Sequence, residues 1–304
     1  MTTPPIPFLR RLRPLLLGRR LRGPERYGPF CIVGSARCGT TLLRAMLEAH
    51  PDVHIPPGNV MLRAVIRDYR WYSHLPWSPL LRLLLTQMAF HPSWEAFDLP
   101  LHPVFRELVN RPAKARNLAA VINAVYCAHL ARHKPAAVRW GDKSPFGVLG
   151  VRAFRAVFPD VRVVHIVRDG RDVVRSFVDA FGSDIRDAAR TWLRAVRTAH
   201  AFGARYPTQY LEVRYEDLVR HPPATLEVVA RFLDLRFDER MLRHHELGLR
   251  LGDVDRTSYM QGVWKPVYQT SIGRWRTEFD AGQIVELDRL MGPTLSALGY
   301  GGSL

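Results

Sequence analysis

Apolar residues along the chain predict short buried strands that alternate with helices. Residues 30–33 and 161–167 are continuous apolar runs of strand length, a pattern typical of parallel strands covered on both faces. Residues 137–140 and 210–215 are predicted as two further strands. Because helical segments follow these strands, the pattern favours a parallel sheet with helices on both faces.

Helical spacing of apolar residues is found in most of the remaining chain. The predicted helices cover residues 40–50, 148–158, 172–181, 185–206, 224–233 and 284–298. Residues 61–135 are also mostly helical in periodicity, although prolines interrupt them, whereas residues 240–276 are predicted to be irregular. We therefore expect one α/β domain over residues 29–304, in which residues 61–135 form a helical insertion.

The composition is that of a globular protein rather than of a disordered or membrane-spanning one. The chain has 304 residues, of which 47% are hydrophobic and 24% charged. No apolar run reaches the roughly 18 residues of a membrane-spanning helix, and a signal peptide is not expected. The three cysteines lack CxxC spacing, so neither a disulfide framework nor a zinc site is predicted, and the expected location is cytoplasmic.

The formal charge of +16 has two interpretations. Arginine accounts for 40 of the 44 basic residues, which reflects either a coding bias or an anionic ligand or surface. The arginines are scattered along the chain, so a nucleic-acid partner is not predicted. Residues 1–28 form a basic arm that is packed or frayed, or that lies on an anionic membrane and makes the protein membrane-peripheral.

The first candidate site is the loop between the first strand and the first helix, where residues 34–41 read GSARCGTT. Successive backbone N–H groups in such a loop, together with the helix N-terminus, can cradle a phosphate. Its glycines permit close backbone approach, and its threonines supply hydroxyl donors. The spacing matches a nucleoside triphosphate loop, but Thr40 stands where that loop has lysine, and Arg37 lies inside the loop. The pattern predicts a P-loop-type sheet with an anion site; a helix capped by small polar residues is the alternative.

A second candidate site follows the apolar strand at 161–167. Arg168 closes this strand, and Ser176 lies eight residues later on the next helix. An arginine at the carboxyl end of a strand and a hydroxyl on the following helix can converge on one phosphate. A salt-bridged turn is the alternative interpretation of these residues.

Residues 34–53, GSARCGTTLLRAMLEAHPDV, resemble the 5′-phosphosulfate-binding loop and following helix of sulfotransferases that use 3′-phosphoadenosine 5′-phosphosulfate (PAPS). The most similar group is bacterial and resembles tyrosylprotein sulfotransferases, which share the arrangement P-R-S-G-T-T-L. This chain has Ala36 and Cys38 where that pattern has proline and serine, and a thiol is a poorer side-chain donor than a hydroxyl. The resemblance implies PAPS as cofactor. The loop residues it places around the phosphosulfate are Ser35, Arg37, Cys38, Gly39, Thr40 and Thr41.

The same resemblance assigns roles to residues outside the loop. It places Arg168 and Ser176 at the 3′-phosphate and Tyr215 at the adenine. Lys265 lies in a segment that resembles the C-terminal region covering the cofactor. Residues 140–146, WGDKSPF, resemble an N-K-D-P-F segment whose lysine faces the transferring group, and Lys143 takes that role here.

The reaction implied is an in-line sulfuryl transfer without a metal, in which Arg37, the loop N–H groups and Lys143 stabilise charge. The general base is less clearly marked, because Gly58 stands where the family glutamate is expected. His54, close to that position in the sequence, and Asp142, beside Lys143, are the two candidates. Alternatively, the acceptor is acidic enough to need little help from a base, or the chain binds the donor but transfers its sulfuryl group poorly.

The acceptor is expected to bind within residues 61–110, and a carbohydrate, a lipid or glycolipid, a phenol and a peptide all remain open. The aromatic residues that suggest this are Trp71, Tyr72, Trp77, Phe90, Trp94 and Phe97. They can equally be core residues of a helical cap. Two rival functions are a P-loop kinase or NTPase, which requires a loop lysine and a strand ending in aspartate, and a basic module that binds nucleic acid or membrane.

Overall fold

A computed structural model describes residues 20–23, 25–58, 61–143, 147–249, 251–252, 254 and 262–301. Most of the predicted basic arm, residues 1–19 together with residue 24, lies outside the described residues.

The domain is built on one sheet of five parallel strands. They are β1 (Phe30–Val33), β2 (Val53–His54), β3 (Arg139–Lys143), β4 (Arg162–Val167) and β5 (Tyr210–Arg214). Their order in the sheet is β2-β3-β1-β4-β5, and every neighbouring pair is parallel. The predicted α/β class with a central parallel sheet is therefore confirmed. Strand β1 lies between β3 and β4, so the later strands are added on both sides of it. In open α/β sheets, the carboxyl end of a strand in this position is the usual ligand site.

Helices cover both faces of this sheet. In chain order they are α1 (Thr40–Glu48), α2 (Met61–Tyr72), α3 (Trp77–Ala89), α4 (Trp94–Phe97), α5 (Leu101–Val109), α6 (Leu118–His133), α7 (Val151–Val157), α8 (Gly170–Phe181), α9 (Ile185–Arg205), α10 (Tyr215–Arg220), α11 (Pro222–Phe232), α12 (Trp275–Glu278) and α13 (Ala281–Ala297). Helices α2–α6 make up the predicted helical insertion. Among the described residues, no helix is both long enough and apolar enough to cross a membrane.

Several element boundaries differ from the predictions for local reasons. Tyr215 begins α10 instead of ending β5, because Glu216 and Asp217 in the first turn favour a helix N-terminus. Helix α8 begins at Gly170, two residues earlier than predicted, because the Asp169 side chain accepts the Arg171 N–H and caps it. The region predicted to be irregular contains a 3-10 helix at Glu239–Glu246 as well as α12.

The core consists of two large apolar clusters, one on each face of the sheet. Side chains alternate along a strand, so Cys31 joins the cluster under α2–α7, while Ile32 joins the cluster with α1, α8 and α13. Both faces of β1 and β4 are thus buried, which explains why the sequence of these strands is continuously apolar. The polar residues that end these strands lie at the carboxyl edge of the sheet.

Candidate functional site

The loop between β1 and α1 makes a tight turn, within which the Cys38 N–H donates to the Ser35 carbonyl oxygen at 3.4 Å. Arg37 and Gly39 both have left-handed backbones, with φ of 69° and 99°. A Cβ atom on Gly39 would lie 2.5 Å from the Tyr215 ring, so only glycine fits there without movement. Among the described residues no side chain caps α1, which leaves the N–H groups of its first turn for an anion.

Cys38 points away from this loop's open side. Its Sγ lies 2.7 Å from the Ser35 carbonyl oxygen and 3.2 Å from that of Ile166, and the side chain is buried. Burial raises the pKa of the thiol to about 12, so it stays neutral and ties the loop to β4. Ser35 is also buried, and its hydroxyl has no hydrogen-bond partner among the described residues.

A cleft of about 190 Å³ lies beside the loop and the start of α1. The predicted cofactor residues that line it are Arg37, Gly39, Thr40, Thr41, Arg168, Ser176, Tyr215 and Lys265. Ser35 and Cys38, predicted with them, do not line the cleft. The fold thus brings together residues from five places along the chain.

Hydrogen bonds join the two predicted anion sites at this cleft. Arg37 Nε donates to Ser176 Oγ at 3.0 Å, and Arg168 Nη1 donates to the Arg37 carbonyl oxygen at 3.2 Å. Arg168 is buried, and its guanidinium carbon lies 4.6 Å from the centre of the Tyr215 ring. Its Nε has no partner among the described residues. Two arginines at the end of an uncapped helix create a site that favours an anionic ligand.

The far wall of the cleft is the segment that leads into α12. Ser271 Oγ lies 2.7 Å from the Tyr215 hydroxyl, and its carbonyl oxygen accepts a hydrogen bond from Arg168. Asp172 of α8, which is buried, accepts the N–H groups of Gly273 and Trp275 at 2.7 and 3.1 Å. Sequence reasoning missed Asp172 as a site residue, because an acid in the first turn of a helix is a common pattern.

Asp142 and Lys143 end β3 but do not line the cleft. The register pairs them with Cys31 and Ile32, so their side chains leave opposite faces of the sheet. Both are buried, and the Tyr126 hydroxyl donates to Asp142 Oδ1 at 2.6 Å. Burial raises the pKa of Asp142 to about 6. Residues 144–146, which complete the predicted segment, lie outside the described residues.

His54 lies in a buried network at the edge strand β2. Its Nδ1 is 3.0 Å from Glu48 Oε1, and its Nε2 is 2.7 Å from His129 Nδ1. Burial, followed by the charge of His54, lowers the pKa of His129 to about 2. The structure does not bring His54 to the cleft, so its suggested part as a base stays a prediction.

The aromatic residues of the helical insertion divide into two groups. Trp77, Trp94 and Phe97 are buried in the core, as the structural interpretation predicts. Trp71 and Tyr72 at the end of α2 are 45% and 43% exposed. The acceptor role suggested for this insertion stays a prediction.

A glycine-containing loop before a helix N-terminus, joined to an arginine and a serine on the neighbouring strand and helix, is typical of α/β proteins that bind a phosphate-bearing ligand. The sequence profile of the sulfotransferase family matches residues 29–239, and the chain belongs to that family. The predicted membership of the PAPS-dependent sulfotransferases, and with it sulfuryl transfer, is confirmed at this level.

Relatives and solved structures agree with this assignment. Protein-tyrosine sulfotransferase 1 of Danio rerio is 28% identical, over an alignment that covers 94% of this chain and 77% of the relative. Protein-tyrosine sulfotransferase A of Caenorhabditis elegans is 27% identical, with 91% and 69% covered. The sulfotransferase domain of the Synechococcus PCC 7002 olefin synthase superposes with a TM-score of 0.60 at 25% identity, covering 90% of this chain and 98% of that one.

Proposed function

We propose that this chain binds PAPS in the cleft beside α1 and transfers its sulfuryl group to an acceptor hydroxyl, in line and without a metal. The observation that carries the proposal is the hydrogen-bonded junction of Arg37, Arg168 and Ser176 at the start of α1. The Nε of Arg168, which lines this cleft, lacks a partner among the described residues, and this donor suits an oxygen-rich anion.

The phosphosulfate end would lie against the loop. The 5′-phosphosulfate oxygens would be held by backbone N–H groups of the loop and of the first turn of α1, and by the hydroxyls of Thr40 and Thr41. Arg37 would neutralise charge that develops as the sulfur–oxygen bond breaks. The bound donor supplies the sulfuryl group, and the protein supplies position and charge.

The nucleotide end would lie between β4 and the wall formed by residues 262–274. Arg168 and Ser176 would bind the 3′-phosphate, and Lys265 would approach from the wall. Arg168 covers part of Tyr215, so an adenine would contact the part of the ring that Arg168 leaves open.

Asp142 is the better supported of the two base candidates. A pKa of about 6 suits proton removal near neutral pH, and Asp142 lies at the carboxyl edge of the sheet next to Lys143. His54 is the second candidate, although both of its ring nitrogens contact other side chains. Lys143 would stabilise the transferring group.

The acceptor would carry a hydroxyl group. The candidate classes are a small molecule, a carbohydrate, a lipid or glycolipid, a phenol and a peptide. The names of the relatives support tyrosine in a protein as one acceptor to test first. We place this enzyme in the cytoplasm, where residues 1–28 would contact a membrane. We do not expect nucleic acid as a partner.

Thermal unfolding with adenosine 3′,5′-bisphosphate, the expected product, tests the donor site directly. At 100 times its dissociation constant a ligand stabilises the fold by about 2.7 kcal/mol, which raises the midpoint by about 5–8 °C for a chain of this size. 5′-AMP should have a smaller effect because it lacks the 3′-phosphate. A shift with magnesium ATP but none with the bisphosphate would favour a kinase or NTPase instead.

A further inference from the structure

Three side chains that commonly bind metals converge on the outer part of the sheet, apart from the cleft. They come from three elements: His165 from β4, His200 from α9 and Glu212 from β5. One ligand atom from each lies within 4.8 Å of the other two. They are separated by many residues along the chain, so their spacing carries no metal-binding motif.

Several polar groups converge on one atom, the Oε2 oxygen of Glu212. Glu212 Oε2 lies 3.0 Å from His165 Nδ1, 2.7 Å from His200 Nε2 and 2.8 Å from the Tyr210 hydroxyl. Two imidazole nitrogens and a carboxylate oxygen are a common ligand set for zinc, with bonds of about 2.0–2.2 Å. Ligand atoms of a tetrahedral site with such bonds lie about 3.4 Å apart, so Glu212 Oε2 would move away from each histidine by less than about 1 Å to admit the ion.

Two of the three side chains lie on paired strands, and solvent reaches part of the cluster. His165 and Glu212 face each other directly in the register of β4 and β5, and His165 is 1% exposed. The side chains of His200 and Glu212 are 43% and 30% exposed, so an ion can reach them from solvent. Preorganised ligands on strands, with an accessible third ligand on a helix, favour metal binding.

We propose that His165, His200 and Glu212 form a binding site for a divalent transition metal of the zinc type, with water in the fourth position. Alternation along β4 turns His165 away from the face that carries α1, so the ion would not take part in sulfuryl transfer. It would fasten β4, β5 and α9 together. Arg168 and Tyr215 each lie three residues beyond a ligand, so such a site would steady the strands that carry them.

The test is a Co²⁺ titration of the metal-stripped full chain, followed by visible absorbance. We expect one Co²⁺ per chain with the intense bands of a tetrahedral site, displacement by Zn²⁺, and a higher unfolding midpoint with Zn²⁺. His200→Ala should weaken Co²⁺ binding by more than about 100-fold, since loss of an outer-shell partner alone costs about 10–100-fold. Glu212→Gln, which keeps the side-chain shape, should also abolish the bands.

His102→Ala is the matched control, because His102 is an exposed histidine of α5 outside the cluster. This variant should bind Co²⁺ like the parent chain. Adenosine bisphosphate should still stabilise His200→Ala, which shows that the variant is folded independently of its metal affinity. If His200→Ala binds Co²⁺ as tightly as the parent, or if the parent shows no stoichiometric site, the cluster is a hydrogen-bond network only and the proposal is wrong.

Discussion

The two halves of the sheet use their polar residues differently. In the β4 half, made of β1, β4 and helices α1 and α8, Arg37, Arg168 and Ser176 contact one another and line an open cleft. In the β3 half, made of β2, β3 and α6, Asp142 is buried against Tyr126 and His54 against Glu48 and His129. Both halves carry residues that the sequence analysis assigned to one reaction.

This difference separates two tasks. Cationic donors beside an open cleft suit the recognition of a ligand, whereas an acid in a closed hydrogen-bonded network suits proton transfer. Changes in the β4 half should therefore alter donor affinity, and changes in the β3 half should alter turnover or its pH dependence. The following predictions test this division.

Asp142→Asn should have the largest effect if Asp142 removes the acceptor proton. Loss of a general base costs about 10²–10⁴-fold in turnover, while affinity for adenosine bisphosphate should stay unchanged. The parent's turnover should fall as the pH drops below about 6, the pKa of Asp142. Tyr126→Phe removes a hydrogen bond that lowers this pKa, so its acid limb should move to higher pH. An unmoved limb would argue against Asp142.

The folding stability of the same variant gives a second readout. The folded-state pKa of Asp142, about 6, exceeds the ordinary value of 3.8, so the folded protein binds this proton more tightly than the unfolded chain. The parent should lose up to about 3 kcal/mol of unfolding free energy as the pH rises from about 4 to 6. Asp142→Asn cannot titrate, so the difference between the two denaturation curves should disappear below about pH 4.

Arg168→Ala should weaken adenosine bisphosphate binding by about 10- to 150-fold, the range expected when a charge-assisted hydrogen bond worth about 1.5–3 kcal/mol is lost. Arg168→Lys should recover only part of this affinity, because an ammonium cannot reach the Arg37 and Ser271 carbonyls together. Calorimetric titration measures both. Arg186→Ala, on an exposed arginine of α9, is the control. Unchanged affinity in a folded Arg168→Ala would refute the 3′-phosphate assignment.

The β4 half was largely predictable because its signals are local. A strand, a glycine loop and a helix follow one another within residues 30–48, and Arg168 and Ser176 share one strand–helix unit. Parallel strands then bring both units to the same edge of the sheet without further information. The inward direction of Cys38 was not predictable, since it depends on the left-handed turn at Arg37 and the carbonyl of Ile166.

The contact partners in the β3 half could not be predicted from the sequence. His54 contacts His129, which lies 75 residues away in the chain. Asp142 contacts Tyr126, which lies on a helix whose apolar residues do not form a single face. Nothing in the spacing indicates these partners, which arise only when α6 packs on the sheet. For the same reason His165 and Glu212, 47 residues apart, appear as neighbours only in the paired strands.

Gly39→Ala should weaken donor binding by about tenfold. The left-handed backbone costs alanine about 1–2 kcal/mol, and its Cβ would meet the Tyr215 ring, so the loop must shift. Gly182→Ala is a matched control, because Gly182 has a φ of 60° but nothing within 4 Å of its added Cβ. That variant should lose stability and keep its donor affinity. Equal affinity in both variants would show that the Gly39–Tyr215 contact does not shape the site.

Asp172→Asn should have the smallest effect, a loss of about fivefold in affinity for adenosine bisphosphate. The asparagine can accept only one of the N–H groups of Gly273 and Trp275. Because Asp172 does not line the cleft, we expect only about 1 kcal/mol of this loss to reach the ligand. The segment at Ser271 would then hold Arg168 and Tyr215 less firmly.

Asp184→Ala is the control, because Asp184 also accepts two backbone N–H groups, both at Oδ1, but does so at the start of α9, outside the cleft. It should change the unfolding midpoint and leave affinity intact. If Asp172→Asn likewise changes only the midpoint, the wall of the cleft is held by its own packing, and donor recognition in the β4 half needs no more than the loop and Arg168.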